Sequence, residues 1–169
     1  MNKVWHYTPW SYLKEICGYG ELLTTNTGVA HENPLLWFSA NQRYEPTAIK
    51  LTSNGLGGLR RTSFDEQVSK AGCIRFGLSA KDLRLLNWDK ACKTAGMTKK
   101  EKIALEARGK ELGANPAHWF ASETSIGLSE LQLQVWVNEW LDMDVDSAST
   151  MWANKSMQGL AGEGVPKST

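Results

Sequence analysis

Residues 131–137, with the sequence LQLQVWV, constrain the fold most strongly, because aliphatic side chains occupy every second position and Gln132, Gln134 and Trp136 lie between them. This period of two is typical of a strand with one face in the core and the other face uncovered. Leu131 and Leu133 then pack in the core, while the side chains of Gln132 and Gln134 lie together on the opposite face. The chain is therefore expected to contain a sheet with a buried face and a polar face.

Other segments mix further strands with short helices. Residues 63–66 and 98–101 are capping boxes, in which the first side chain and a glutamate three residues later cap a helix N-terminus. Thr8 is predicted to cap another helix, with Pro9 at its first position. Strands are expected at 4–7, 21–23, 35–39 and 73–78, helices at 9–17, 64–72 and 99–113, and helical turns from Glu45 and from Asn115 through Trp119. Because these elements do not alternate as βαβ units, the predicted fold class is α+β rather than doubly wound.

Length and composition fit one domain. The chain has 169 residues, of which 41% are hydrophobic and 22% charged, so it can bury a core without disulfides or metals. We expect residues 1–141 to form this domain and residues 142–169 to form a partly disordered C-terminal extension, since that segment is acidic and then small and polar. No apolar run approaches the ~20 residues that span a bilayer. Residues 1–5 lack a signal-peptide core, so cytoplasmic localisation without membrane contact is predicted.

The sequence lacks the motifs of several common active sites. It has no GxSxG nucleophile elbow, no GxGxxG and no P-loop. Cys17 falls on the apolar face of a predicted helix, which is a poor position for a nucleophile. His6, His31 and His118 are scattered, and residues 142–146 (DMDVD) carry only part of a calcium loop, so no metal site is predicted. The net charge of +1 gives the chain as a whole no basic signature for nucleic acid.

What remains is a set of polar and aromatic residues at the ends of predicted strands. Residues 6–9 (HYTP) close the first strand, residues 37–40 (WFSA) lie on a second, and Glu130 opens the last. In these features the sequence resembles the ADP-ribosyltransferase-like superfamily, whose opening strand carries His-x-Thr/Ser directly before a helix. The helix ending in GYGELL is similar to its counterpart in DNA ADP-ribosyltransferase toxins and RNA 2′-phosphotransferases. The resemblance covers residues 4–48 and 126–138.

The resemblance implies a fold, a substrate and a set of site residues. The fold is a mixed, mainly antiparallel split β-sheet with short peripheral helices, and the substrate is NAD. Glu130 and His6 are the implied catalytic residues, with Gln132 as the substitute if the acid is replaced. Arg75, on the polar face of its strand, is either a phosphate-binding residue or a surface arginine. The residues expected to bind NAD are His6, Tyr7, Thr8, Trp37, Ser39, Arg75 and Gln132.

The chemistry of breaking the bond to nicotinamide supports these roles. The reaction passes through an oxocarbenium-like state, as in glycoside hydrolysis. A histidine can fix the ribose hydroxyls, and an aromatic wall from Trp37 or Tyr7 can stack on the nicotinamide ring. A carboxylate, expected to be Glu130, can bond the ribose 2′-OH and favour the developing positive charge. The predicted function is therefore transfer of ADP-ribose from NAD to a macromolecule.

The sequence leaves the acceptor and two other functions open. The acceptor is a protein or a nucleic acid, and in the second case Arg60 and Arg61, next to a glycine-rich loop at 55–58, would contact phosphates. One alternative is a weak or inactive module that binds NAD or another nucleotide. Another is an enzyme that uses NAD to remove an RNA 2′-phosphate, which phosphate-binding arginines near the cleft would favour. Arg43, like Arg60 and Arg61, lies in a segment that is predicted to be a loop.

Overall fold

The computed structural model describes residues 2–25, 31–49, 51–53 and 58–162. Within them the strands are β1 (Lys3–Thr8), β2 (Glu21–Leu22), β3 (Leu36–Ser39), β4 (Leu51–Ser53), β5 (Leu59–Arg61), β6 (Ile74–Ser79), β7 (Leu86–Asn87), β8 (Trp119–Ser122), β9 (Ile126–Gly127), β10 (Gln132–Trp136) and β11 (Trp140–Asp142). The helices are α1 (Leu13–Tyr19), α2 (Phe64–Ala71), α3 (Trp88–Ala95), α4 (Lys99–Glu111) and α5 (Val145–Gly162). Among these residues no helix has both the length and the apolar character needed to cross a membrane.

Seven strands form one sheet in the order β11-β10-β6-β1-β3-β8-β7, and every registered neighbour pair is antiparallel. Two smaller antiparallel pairs, β2 with β9 and β4 with β5, lie beside it. The molecule is thus an α+β fold with a mostly antiparallel sheet and short helices, as the absence of a βαβ rhythm predicted.

One face of the sheet carries the main hydrophobic core. Val4, Phe76 and Leu133 are among its buried side chains, and the register brings them together because strand side chains alternate between faces. The N-terminal helical segment and α5 cover this face. The indole N–H of Trp10 donates to the carbonyl of Ala148 at 3.2 Å, and Ala148 is fully buried. The first turns of α5, inside the predicted extension 142–169, therefore pack against the core.

Helices α3 and α4 lie against the opposite face near β8. Ala91 and Ala95 of α3 pack with Ala121 of β8. A Cβ atom added to Gly109 of α4 would lie 2.4 Å from the ring of Trp119, so the glycine is needed for this close approach. These contacts bring the aromatic side chains of three elements next to each other.

Several predicted elements are confirmed. Strand β10 lies within the alternating segment, and β6 covers most of residues 73–78. Thr98 and Glu101 form the complete capping box of α4. At α2 only half of the predicted box forms: Ser63 accepts from the N–H of Glu66, but the carboxylate of Glu66 pairs with Arg60 and Lys70 instead.

Three local predictions are wrong. Thr8 ends β1, and the helical segment after it starts with a 3-10 turn at Trp10–Tyr12 whose N-cap is Pro9, without a side-chain cap. Trp119 starts β8 rather than ending a helical turn, because its neighbours pair with β3. Arg60 and Arg61 lie on β5 rather than in a loop. Of the predicted glycine-rich loop, residues 55–57 lie outside the described residues.

Candidate functional site

The seam between β1 and β3 is the most open part of the large sheet. Strand β1 is registered with β6 over six residue pairs, and β3 with β8 over four, but β1 and β3 meet only at Trp5 and Ser39. A cleft of about 410 Å³ follows this seam and is lined by residues of both strands. The two strands belong to distant parts of the chain, so folding creates this site rather than any local motif.

Aromatic rings form the walls of the cleft. The Trp37 and Trp88 ring centroids are 5.9 Å apart, and those of Trp88 and Trp119 are 4.8 Å apart in an edge-to-face arrangement. The indole N–H of Trp88 is held by Glu106 Oε1 at 2.7 Å. Aromatic side chains held in this way offer apolar faces and edges to a flat ligand ring. The aromatic residues on the cleft are Trp5, Tyr7, Trp37, Phe38, Trp88 and Trp119, together with the imidazole of His6.

Among the described residues, one carboxylate lines the cleft, that of Glu45. Its Oε2 accepts from the Ser39 hydroxyl at 2.7 Å, and its Oε1 accepts from the Thr47 N–H at 3.1 Å and the Thr47 hydroxyl at 2.7 Å. Glu45 is also the N-cap of the 3-10 turn Pro46–Ala48. The local sequence predicted only the start of a helical turn at this residue. Its position six residues after Ser39, directly behind a strand with candidate site residues, was the available signal.

Two arginines also line the cleft. Arg61 Nη1 donates to the carbonyls of Pro46 and Ile49 at 3.1 and 3.2 Å, which fixes its guanidinium beside the turn that follows Glu45. Arg108 is more exposed, and it pairs with Glu111 at 2.8 Å. They supply positive charge at a cleft that has one acidic side chain among its described lining residues.

Two buried nitrogens of the cleft residues have no hydrogen-bond partner. They are Arg61 Nε and Trp119 Nε1, and no other buried side-chain nitrogen or oxygen of the described residues is in this state. Buried donors without acceptors are rare in native proteins and call for an explanation. Both residues line the same cleft, although the two nitrogens are themselves buried.

The seam positions His6 and Tyr7 differently. His6 Nδ1 donates to the Trp37 carbonyl at 2.9 Å across the seam, and because a carbonyl only accepts, this nitrogen carries a proton. The Tyr7 hydroxyl donates to the carbonyl of Asn41 and accepts from Arg75 Nη1 at 3.2 Å. Burial raises the pKa of Tyr7 to about 12, so the hydroxyl is neutral at physiological pH.

Thr8 and the two polar residues predicted near the last strand lie away from the cleft. Thr8 is buried opposite Ile74 of β6. Glu130 is about half exposed and pairs with Arg84 at 2.8 Å, and this guanidinium holds the pKa of the carboxyl below its ordinary value. The amide of Gln132 donates to Asp142. Strand β10 is separated from the seam by β6 and β1, so the structure does not bring Glu130 and Gln132 together with His6.

Arg75 is buried, which corrects the interpretation of a surface arginine. It donates to Gln134 Oε1 from Nε at 2.8 Å and from Nη2 at 2.5 Å, and Nη1 donates to the Tyr7 hydroxyl and the Gln42 carbonyl. Its guanidinium carbon also lies 3.8 Å from the Trp5 ring centroid and 4.2 Å from that of Trp140. Four of its five N–H groups are thus committed within the protein, and it does not line the cleft.

One group of side chains has ligand atoms close enough for a metal ion. The ligand atoms of His31, Glu32 and Glu101 all lie within 4.8 Å of one another. However, His31 and Glu101 already form an ion pair at 3.2 Å, and Glu101 Oε2 accepts from the N–H and hydroxyl of Thr98 at 2.7 Å as part of the α4 cap. The ion pair and the helix cap therefore explain why the side chains of His31 and Glu101 lie close together.

Comparisons with known proteins identify no relative of this chain. No family model matches the chain, and no curated protein and no solved structure matches it either. The cleft itself is therefore the basis for inferring a function.

Proposed function

We propose that the seam cleft binds NAD and that the protein transfers ADP-ribose from it to a macromolecular acceptor. The observation that carries this proposal is the meeting of His6, Tyr7, Trp37 and Ser39 along one cleft. The sequence resemblance implies NAD binding for the same four residues. These residues come from two strands that are about thirty residues apart in sequence. The resemblance to the ADP-ribosyltransferase-like superfamily supports NAD binding as the function of the cleft where they meet.

The size and lining of the cleft fit part of a dinucleotide. Its volume of about 410 Å³ falls within the range of ~300–1,000 Å³ that is usual for small-molecule sites. The tryptophan walls suit the nicotinamide ring, and the guanidinium of Arg61, which lines the cleft, suits the oxygens of a pyrophosphate. Arg108 at the rim adds positive charge for a phosphate.

In the proposed reaction the bond between ribose C1′ and the nicotinamide nitrogen breaks. Its electron pair leaves with nicotinamide, and an oxygen or nitrogen of the acceptor bonds to C1′ and releases its proton to solvent. The protein's part is to hold the ribose and exclude water while positive charge develops on the sugar. His6, fixed across the seam by the Trp37 carbonyl, is placed to position the ribose.

Two alternatives remain, each favoured by one observation. The pairing of Glu130 with Arg84 outside the cleft favours a module that binds NAD without turnover. The presence of Arg61 and Arg108 on the cleft favours NAD-dependent removal of an RNA 2′-phosphate. Incubation of the protein with labelled NAD and either lysate or 2′-phosphorylated RNA separates these functions. An ADP-ribosyltransferase moves the label into a macromolecule, and a 2′-phosphotransferase moves the RNA phosphate onto the labelled ADP-ribose. A binding module leaves the label in NAD.

NAD binding is the first test, and it uses thermal denaturation. A ligand at ten times its Kd stabilises the folded state by about 1.4 kcal/mol, which for a chain of this size raises Tm by ~3–6 °C. Trp37→Leu should lower NAD affinity ~2- to 10-fold by removing a stacking surface. Trp136→Leu is the matched control, because Trp136 is also a half-buried strand tryptophan but lies outside the cleft. Absence of both a Tm shift and calorimetric heat at millimolar NAD contradicts the proposal.

A further inference from the structure

Glu45 is a buried carboxylate that is held by neutral groups alone. Its side chain belongs to a residue that is 6% exposed, and it forms no ion pair with any described residue. Its hydrogen-bond donors, from Ser39 and Thr47, are all neutral. An unpaired carboxylate in such a place lowers stability, and this cost is typical of functional sites.

Capping alone does not require a carboxylate at this position. Asn115 caps the 3-10 turn Pro116–His118 in the same way, with its side-chain oxygen accepting from the N–H two residues later and a proline following it. Glu45 and Pro46 repeat this arrangement. A neutral side chain therefore caps the same kind of turn elsewhere in this protein, and the negative charge of Glu45 calls for a different explanation.

The three donors also hold the carboxylate in one orientation. Ser39, which donates to Oε2, itself accepts from the Asn41 N–H at 3.1 Å, so the hydroxyl is fixed from both sides. Two carboxylate oxygens offer about four acceptor positions, and Oε2 has one position left beyond the Ser39 bond. Because Glu45 lines the cleft, this position is available to a hydroxyl group of a bound ligand.

We infer that Glu45, rather than Glu130, is the carboxylate that acts on the ribose of NAD. This inference rests on the proposed function. Glu45 accepts a hydrogen bond from a ribose hydroxyl, and its charge stabilises the positive charge that develops as the bond to nicotinamide breaks. Glu45 is thus a catalytic residue. Its burial strengthens this electrostatic effect, since water does not screen it as it screens Glu130 on the surface.

The test compares carboxamide variants of three glutamates in the full chain. Glu45→Gln keeps the shape and the cap, so NAD affinity measured by calorimetry should stay within about 3-fold of the wild type. Nicotinamide release should fall ~10²-fold or more, as expected for an interaction made mainly in the transition state. Glu32→Gln is the matched control, since Glu32 is buried to a similar degree, at 7% exposure, and lies outside the cleft; it should leave release unchanged. Glu130→Gln tests the position that the sequence resemblance implied.

The outcomes separate the inference from the proposed function. If the wild type does not bind NAD, both fail. If the wild type binds NAD and releases nicotinamide but Glu45→Gln is fully active, or if only Glu130→Gln is impaired, this inference is overturned while the proposed function stands. NAD binding without release by the wild type also overturns it. Should Glu45→Gln not fold, Glu45→Asp keeps both charge and cap while withdrawing the carboxylate by one methylene, and full activity of that variant overturns the inference.

Discussion

Two neighbouring regions of the sheet use similar side chains in opposite ways. At the β6–β10 end, Arg75 lies between Trp5 and Trp140 and donates four hydrogen bonds to the protein. Among the residues that line the cleft, Arg61 and Trp119 each have a buried N–H without a partner. A buried polar network that is satisfied makes a structure rigid, whereas a buried polar group without a partner is costly. Residue type alone thus does not distinguish a structural arginine from a binding one.

The largest expected effect is loss of the Arg75 network. Arg75→Met leaves the acceptors on Gln134 and Gln42 without their buried donor, so the free energy of unfolding should fall by on the order of 3 kcal/mol. Arg60→Met is the control, because Arg60 forms an exposed ion pair with Glu66, and the loss of such a pair should lower the free energy of unfolding far less. Equilibrium urea denaturation measures both. Equal losses in the two variants would remove the distinction between the regions.

A smaller effect is expected from adding a methyl group under a tryptophan in each region. A Cβ on Gly77 would lie 2.5 Å from the ring of Trp5, whose indole N–H is fixed by Gln42, so Gly77→Ala should destabilise the fold by ~1–3 kcal/mol. Gly109→Ala displaces Trp119, which borders open space, and gains helix propensity, so it should cost less but weaken NAD binding.

Gly18 provides the control for these two variants. It lies in α1 and has no atom within 4 Å of an added Cβ, so Gly18→Ala should raise the free energy of unfolding by ~0.5–1 kcal/mol. Denaturation curves and NAD titrations of the three variants are compared. A stability loss in Gly109→Ala as large as that in Gly77→Ala would mean that the cleft is packed as rigidly as the Arg75 network.

The last expected effect appears only at alkaline pH, where the stability of the wild type should fall. The pKa of Tyr7 is raised to about 12 in the fold from 10.0, so the unfolded chain loses this proton first as pH rises. The stabilising contribution is fully present below pH 10 and is lost as pH approaches 12. Between these limits the wild type should lose up to ~1.4 kcal/mol per pH unit more than Tyr7→Phe does. Identical profiles of stability against pH for the two proteins from pH 9 to 11 would contradict a raised pKa of Tyr7.

Much of the fold was predictable from local patterns. Alternation identified β10, and the side chains of Thr98 and Glu101 predicted the start of α4 through groups only three residues apart. The pattern over residues 79–97 predicted no element, yet β7 and α3 form there. The two strand residues of β7 exist because β8 pairs with them, and the buried alanines of α3 pack against the sheet. Such short elements depend on tertiary partners more than on propensity.

The residues of the candidate site also differ in whether local sequence or tertiary contacts place them. The sequence by itself placed His6, Trp37 and Ser39 at the ends of strands, because strand propensity and alternation are local properties. Only the tertiary structure decided which carboxylate shares their cleft. Glu45 lies there because Ser39 and the turn at Pro46 hold it, whereas Arg84 holds Glu130 at the surface. Contacts between residues far apart in sequence depend on strand order and packing, which no local pattern encodes.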